Sequence, residues 1–271
     1  MKLGRGGVLV WQLAILVIVI AAWEYLTGIK AISRTPGLYW IDPFFISRPS
    51  KILERFLYLT SDKVRLTIWQ MALSTIQSTL WGFLVGISTG FVAGLVLGRH
   101  GGLSRIFEPY IVAFNSLPRI ALVPLITMIF GFGLLAKIVL AWSIVFFIVF
   151  FNTFQGARSV DADLIHSARF LGASETQIMR TVIIPSTLAW TFASLTPSIS
   201  FALIGVVVGE FIGGESGGGL GYLIIQSLGT LNAADMMVAL LVLGVIGIVM
   251  ALGIRQVEAR LLRWRPEYQK H

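Results

Sequence analysis

The sequence predicts an all-α membrane protein with about six transmembrane helices. Three observations carry that prediction. Of the 271 residues, 56% are hydrophobic and only 13% charged, against roughly 25% charged in an ordinary soluble domain. Apolar runs of about 20 residues or more recur along the chain, each long enough for roughly 30 Å of hydrocarbon. The charges are confined to the short segments between those runs. Net charge is +8 with a pI near 10.1. In a soluble chain that balance would point to nucleic acid. Here the Lys and Arg residues sit at span ends, where anionic headgroups and topology account for them. With no cysteine, and with His100, His166 and His271 scattered, the sequence excludes disulfides, thiolate chemistry and a Cys/His metal cluster.

The elements follow in order. Val8 to Leu26 is the first span, and Trp23 and Tyr25 suit an interface belt. A cleaved signal peptide, helped by Ala21-Ala22, is the competing reading; the length of the run argues against it. Residues 27 to 65 form the longest polar connection, irregular at first through Pro36, Pro43 and Pro49. Ser50 to Leu59 reads as a short amphipathic helix on the membrane surface, with Ile52, Leu53, Phe56 and Leu57 on one side.

The second span runs from about Trp69 to Leu97. In it Gly82, Gly86, Gly90, Gly94 and Gly98 recur every fourth residue. A ridge without side chains lets another backbone come close. The third span, from Glu108 to about Phe132, is interrupted where Pro118 and Pro124 flank Arg119. Proline frees backbone carbonyls, which lipid tolerates only where protein or a wet cavity satisfies them. Arg119, with Asn115 and Pro118 beside it, is therefore a candidate for a substrate path, a cation attractive to an anion. The competing reading is an arginine that pairs with an acid or snorkels. Lys137 to Gln155 is the fourth span, aromatic and without acids. Thr187 to Val208 is the fifth, kinked at Pro197. Glu210 opens a glycine-rich stretch, Gly213 to Gly221, read as a flexible or re-entrant segment near an outer gate. Glu210 either closes that gate or caps a turn. A phosphate cradle is rejected there, since no Lys-Ser/Thr follows and no strand precedes. Ala234 to Ile254 is the sixth span, followed by the basic tail of Arg255, Arg260, Arg263 and Arg265.

Both ends then lie inside, as do residues 99 to 107 and 156 to 186. The inside set holds Lys2, Arg5, Arg99, Arg105, Arg158, Arg169, Arg180 and the basic tail. The outer connection at 27 to 65 holds Lys30, Arg34, Arg48, Lys51, Arg55, Lys63 and Arg65, which runs against the positive-inside tendency.

The most informative stretch is the polar island Asp161 to Pro185, between the fourth and fifth spans. Asp161 is placed to cap a first helix, along which Leu164, Ile165, Ala168 and Leu171 recur at helical spacing. Gly172 is placed to end it in a left-handed turn. Ser174 and Gln177 form a capping-box pattern for a second helix, and Pro185 marks a boundary.

His166-Ser167-Ala168, then Gly172, then Val182, Ile184 and Pro185 resemble the signature loop of permease subunits of prokaryotic ABC importers. That loop reads Glu-Ala-Ala, three residues, Gly, nine residues, Ile, one residue, Leu-Pro. The spacing matches at every step; His166 replaces Glu, Ser167 replaces Ala, and Val182 and Ile184 are mild replacements. The resemblance runs from about residue 66 to the C-terminus. It is nearest to the nitrate, sulfonate and taurine type, through LPRIALVPL at 117 to 125, SVDADL, GEFIGGESGGGLGYL at 209 to 223 and the closing RLLRWRP.

The resemblance implies a type I importer permease architecture with a cytoplasmic coupling helix, in a prokaryotic inner membrane. It divides the chain into 1–65, an N-terminal span with its external loop and amphipathic helix, and 66–271, a permease core with a coupling loop at 156–186. It implies a homodimer of permeases, two cytoplasmic ATPases and an external solute-binding protein. The contact to the ATPase would fall on Leu164, Ile165, His166, Ala168, Arg169, Leu171 and Gly172. The solute would be a small anion such as a sulfonate, taurine or nitrate. The chain would hold no cofactor of its own, ATP and Mg being bound by the partner ATPase. No motif for covalent catalysis, metal hydrolysis or nucleotide binding occurs in the sequence. The alternatives are an ion-coupled secondary transporter, which usually keeps intramembrane acids, and a membrane-embedded enzyme.

Overall fold

The computed structural model describes residues 5–29 and 41–262. Lys2, Lys30, Arg34, Pro36, Arg263, Arg265 and His271, named above, lie outside the described residues. Every regular element described is helical: α1 (Arg5–Leu26), α2 (Pro43–Ile46), α3 (Pro49–Thr60), α4 (Ile68–Arg99), α5 (Gly101–Ser116), a 3₁₀ turn (Arg119–Leu122), α6 (Val123–Phe130), α7 (Leu134–Arg158), α8 (Ala162–Phe170), α9 (Glu175–Ile178), a π turn (Met179–Ile183), α10 (Ile184–Ala193), α11 (Leu195–Gly217), α12 (Leu220–Gly229) and α13 (Ala233–Leu261). Five helices are long and apolar enough to cross a membrane: Gly7–Leu26, Ile68–Arg99, Leu134–Arg158, Leu195–Gly214 and Ala233–Leu261. A sixth span exists if α5 and the segment Arg119–Phe130, which bend by 84°, are counted as one.

The described residues form two compact units, one from Met1–Ala72 with Leu223–Leu243, the other from Leu73–Tyr222 with Gly244–His271. In the first unit, α1 buries none of its most apolar window against protein, as a lipid-facing helix should. Its C-terminal end is pinned to α3 by polar contacts. The Glu24 carboxylate accepts from Ser50 N–H at 2.9 Å and Ser50 Oγ–H at 2.8 Å, so it caps the start of α3 from outside that helix. Trp23 Nε1–H donates to Ser47 O at 3.3 Å. The amphipathic α3 is present, but its apolar set divides. Ile52 and Leu59 are buried and Phe56 half-buried, while Leu53 and Leu57 are exposed. Arg55, on the inward side, grips Asp235 with two bonds of 2.6 and 2.7 Å. That bond holds the guanidinium above its ordinary pKa.

The second unit is built on α7. The glycine ridge of α4 lies against it along its length. A Cβ added at Gly86 would stand 2.6 Å from Val145 Cβ, one at Gly94 2.7 Å from Phe150 O, and one at Gly98 2.7 Å from Ala157 Cβ. The ridge thus packs within this chain. On the other side α11 approaches, with Ala141, Val145, Val149, Ile199, Ala202 and Val206 in one core cluster.

Three sequence boundaries move. The fifth span begins at Leu195 rather than Thr187, because a turn at Ser194 separates α10 from α11 and Pro197 falls in the first turn of α11, where its missing donor costs nothing. Pro185 does not end a helix. The π turn ahead of it lets Ile184 N–H reach Met179 O, five residues back, and the run from Glu175 to Ala193 continues through the proline. The glycine-rich stretch is helical on both sides of a kink at Gly214 (φ 55°).

Candidate functional site

The polar island folds as a helical hairpin, and its local chemistry explains each turn. Asp161 Oδ1 accepts from Asp163 N–H at 2.9 Å and caps α8. Gly172 takes φ +82° with nothing within 4 Å of an added Cβ, so glycine is needed there for backbone conformation and not for space. Ala173 N–H bonds Ala168 O at 3.0 Å across this turn. Ser174 and Gln177 close a capping box, with bonds of 2.7 and 3.3 Å. Arg169 and Glu175 pair across the bend at 2.8 Å.

The apolar stripe of α8 serves two directions. Ile165 is buried with Ile178 and Ile183, with Ala168 packed against them, and holds the hairpin to Leu95 of α4. Leu164, Phe170 and Leu171 point outward, and Phe170 and Leu171 are 98% and 88% exposed. Ile165 and Ala168 thus pack within the hairpin, where the sequence expectation placed them in the contact to the ATPase. The outward face adds Phe170, which the stripe pattern missed. His166, Arg169 and Gly172 are exposed.

Arg119 follows the break between α5 and α6. Its guanidinium donates to Phe114 O at 2.6 Å, Asn115 O at 3.2 Å and Asn115 Oδ1 at 3.1 Å. It lies over the Phe147 ring at 4.1 Å. It thus satisfies the Asn115 carbonyl at the C-terminus of α5 and adds a second donor to Phe114 O, which also accepts from Leu117 N–H at 3.4 Å. Among the described residues its hydrogen-bond acceptors are neutral. A cavity of about 330 Å³ is lined by Asn115, Arg119 and Asn152 with Phe147, Ile148 and Phe151. A second, of about 360 Å³, is lined by Pro118 and Arg119 with apolar residues of α7 and α11. Arg119, Asn115 and Pro118 are thus neighbours, and Glu210 lines neither cavity.

Glu210 sits instead in a buried network that sequence reasoning did not find. Its carboxylate lies 3.2 Å from Lys137 Nζ, and the two side chains are 0% and 3% exposed. It also accepts from Thr75 Oγ1 at 2.9 Å and Gly221 N–H at 2.9 Å. Lys137 Nζ donates further to Ser74 Oγ at 2.9 Å and Gly218 O at 3.0 Å. The glycines let the backbone close over the carboxylate: a Cβ on Gly221 would meet Val207 O at 2.7 Å and Glu210 Cβ at 2.8 Å. Gly219 and Gly221 thus form a fitted cover over the ion pair.

Residues 64–263 match the family described as the binding-protein-dependent transport system inner membrane component. The chain belongs to this family. As a permease it is 28% identical over 257 residues to the putative aliphatic sulfonates transport permease protein SsuC of Bacillus subtilis (strain 168), covering 93% of this chain and 86% of that protein. It is 28% identical over 235 residues to the taurine transport system permease protein TauC of Escherichia coli (strain K12), covering 86% and 84%. It is 31% identical over 221 residues to the riboflavin transport system permease protein RibX of Chloroflexus aurantiacus, covering 82% and 81%. The permease fold is shared with the MetNI methionine ABC transporter in an inward-facing conformation (TM-score 0.57, 22% identity, 72% of this chain and 94% of that one). It is shared also with an amino acid ABC transporter crystallised with histidines (TM-score 0.58, 19% identity, 79% and 97%). The architecture is that of the type I importer permeases.

Proposed function

We propose that this permease forms the translocation path of an ATP-driven importer for a small anion, as a pair of identical copies with both ends in the cytoplasm. Two ATPases dock beneath it on the hairpin at 161–185, and an external binding protein delivers the solute. The observation that carries the docking role is the pair Phe170 and Leu171, apolar and almost fully exposed at the tip of a hairpin rigidly capped at both helix starts. Large apolar side chains so placed mark an interaction site. Leu164 and Arg169 flank that tip, and Gly172 sets the angle of its turn. ATP-driven closure of the ATPases would move the hairpin and rock the spans between inward-open and outward-open states.

The anion reading is supported by the sulfonate and taurine permeases among the relatives and by Arg119 at the lining of two cavities. Asn115 and Pro118 belong to that path, and Glu210 to the structure around it. The test is reconstitution in proteoliposomes with a candidate partner ATPase and a candidate solute-binding protein. Taurine or an alkanesulfonate should accumulate only with ATP inside the ATPase compartment. Uptake by the permease alone under an ion gradient would overturn the reading.

A further inference from the structure

Between α11 and α12 the backbone unwinds. Gly214 and Gly218 take positive φ, 55° and 30°, and helix resumes at Leu220. A break of this kind exposes two sorts of backbone group. The second helix presents N–H groups, which attract an anion, and the unwound backbone presents carbonyls, which attract a cation. Both attractions are met here by the chain's own side chains.

The start of α12 receives a carboxylate. Gly221 N–H donates to Glu210 Oε2 at 2.9 Å, and Leu220 N–H donates to Thr75 Oγ1 at 3.1 Å. The unwound carbonyl receives an ammonium. Lys137 Nζ lies 3.0 Å from Gly218 O, 2.9 Å from Ser74 Oγ and 3.2 Å from Glu210 Oε1. A carbonyl, a hydroxyl and a carboxylate thus converge on one cation from the break, from α4 and from α11. Converging oxygens of this mixture replace the hydration shell of a monovalent ion. A carrier driven by an ion gradient needs such a seat open and exchangeable. Here a covalent tether from α7 occupies it, and the Lys137 side chain is only 3% exposed.

We infer that Gly218 O, Ser74 Oγ and Glu210 form a monovalent-cation seat at the α11–α12 break, that Lys137 fills it as a tethered primary ammonium, and that the permease therefore takes up no alkali ion there. The inference goes beyond the importer reading and uses neither the solute nor the ATPase. The plainer alternative is a buried pair in which only the charge of residue 137 matters.

Lys137→Ala empties the seat. It deletes three methylenes and the ammonium, the size of a propylammonium ion. Full-length permease in detergent is unfolded by heat at constant ionic strength, with propylammonium, tetramethylammonium or sodium chloride as the probes. Propylammonium should stabilise Lys137→Ala saturably, raising its Tm by about 3 °C or more at ten times the half-saturating concentration. Tetramethylammonium has the same charge and no N–H to donate, so it should have no such effect. Adding Ser74→Ala removes one oxygen of the seat, and it should raise the half-saturating concentration of propylammonium about tenfold. The parent chain should respond saturably to neither propylammonium nor sodium.

An equal response of Lys137→Ala to both organic cations overturns the inference, as does no response to propylammonium. A saturable sodium response in the parent chain overturns it too. Should Lys137→Ala fail to fold, Lys137→Arg decides. It keeps the charge and replaces a compact ammonium by a wider planar fork, so its Tm should fall well below that of the parent. An unchanged Tm means that any cation serves, and the seat is refuted. Every readout is the stability of the permease itself, so a failure here leaves the docking and anion readings standing, and their failure leaves this one standing.

Discussion

Lys137 and Glu210, 73 positions apart in sequence, meet at 3.2 Å with their side chains closed off from solvent. Each ion has further partners, so the pair is satisfied as a unit. Removing one member strands the other. Lys137→Met or Glu210→Gln alone should cost about 3–5 kcal/mol, whereas the double replacement should cost far less. Thermal unfolding of the purified permease and its two single and one double variants measures this; equal destabilisation in all three would refute it.

The contact of α4 with α7 makes a graded prediction. Gly86→Val and Gly94→Val push side chains into Val145 and the Phe150 carbonyl, and should destabilise by about 1–3 kcal/mol or more. Gly101→Ala and Gly102→Ala, at the start of α5 with nothing within 4 Å of an added Cβ, should be neutral or slightly stabilising. Folded yield in detergent, by size exclusion, ranks the four.

In the hairpin, Phe170→Ser and Leu171→Ser should leave the permease folded and weaken its hold on the ATPase, read as lost co-purification. Ile165→Ser should unfold the hairpin itself, because its side chain is core and burying an unpaired hydroxyl there is unfavourable. Hydrogen exchange over residues 162–178 tells the two apart.

Gly172→Asn should be tolerated, since asparagine enters the left-handed region readily. Gly172→Asp adds a charge at the same turn and should uncouple ATP hydrolysis from transport. The ratio of ATP hydrolysed to solute moved, in proteoliposomes, should rise for the Asp variant only.

Arg55 and Asp235 should respond to geometry as well as charge. Arg55→Lys keeps the charge and loses the two-pronged contact. With side chains 33% and 12% exposed, the loss should be on the order of 1 kcal/mol. Faster hydrogen exchange across residues 49–60 checks it.

What the sequence made legible was local. The caps at Asp161 and Ser174, the turn at Gly172 and the break at Pro118 each depend on residues within one or two helical turns, and all four are present. The glycine ridge was legible as a close contact, but its partner was not, since periodicity on one helix says nothing about which helix answers it. The stripe on α8 split because an apolar arc at helical spacing is wider than one contact; Ile165 went to the core and Leu164 outward only once Ile178 and Ile183 were placed. Pro185 misled because a π turn, which has no sequence signature, shifts the hydrogen-bond ladder just ahead of it. The Lys137–Glu210 pair stayed hidden because each charge sits near the edge of a span, where a lone ion is unremarkable, and only the closed fold brings them together.

The backbone contact between α4 and α7 has one more consequence. Two helices that touch along their main chains cannot slide past each other by a turn, since every glycine would have to pass a Cβ. They act as a single beam, roughly 38 Å long for the 25 residues of α7. One end of that beam carries the hairpin and the other carries Lys137. A push delivered at the hairpin would therefore arrive at the covered ion pair as a tilt, with little lost to bending along the way.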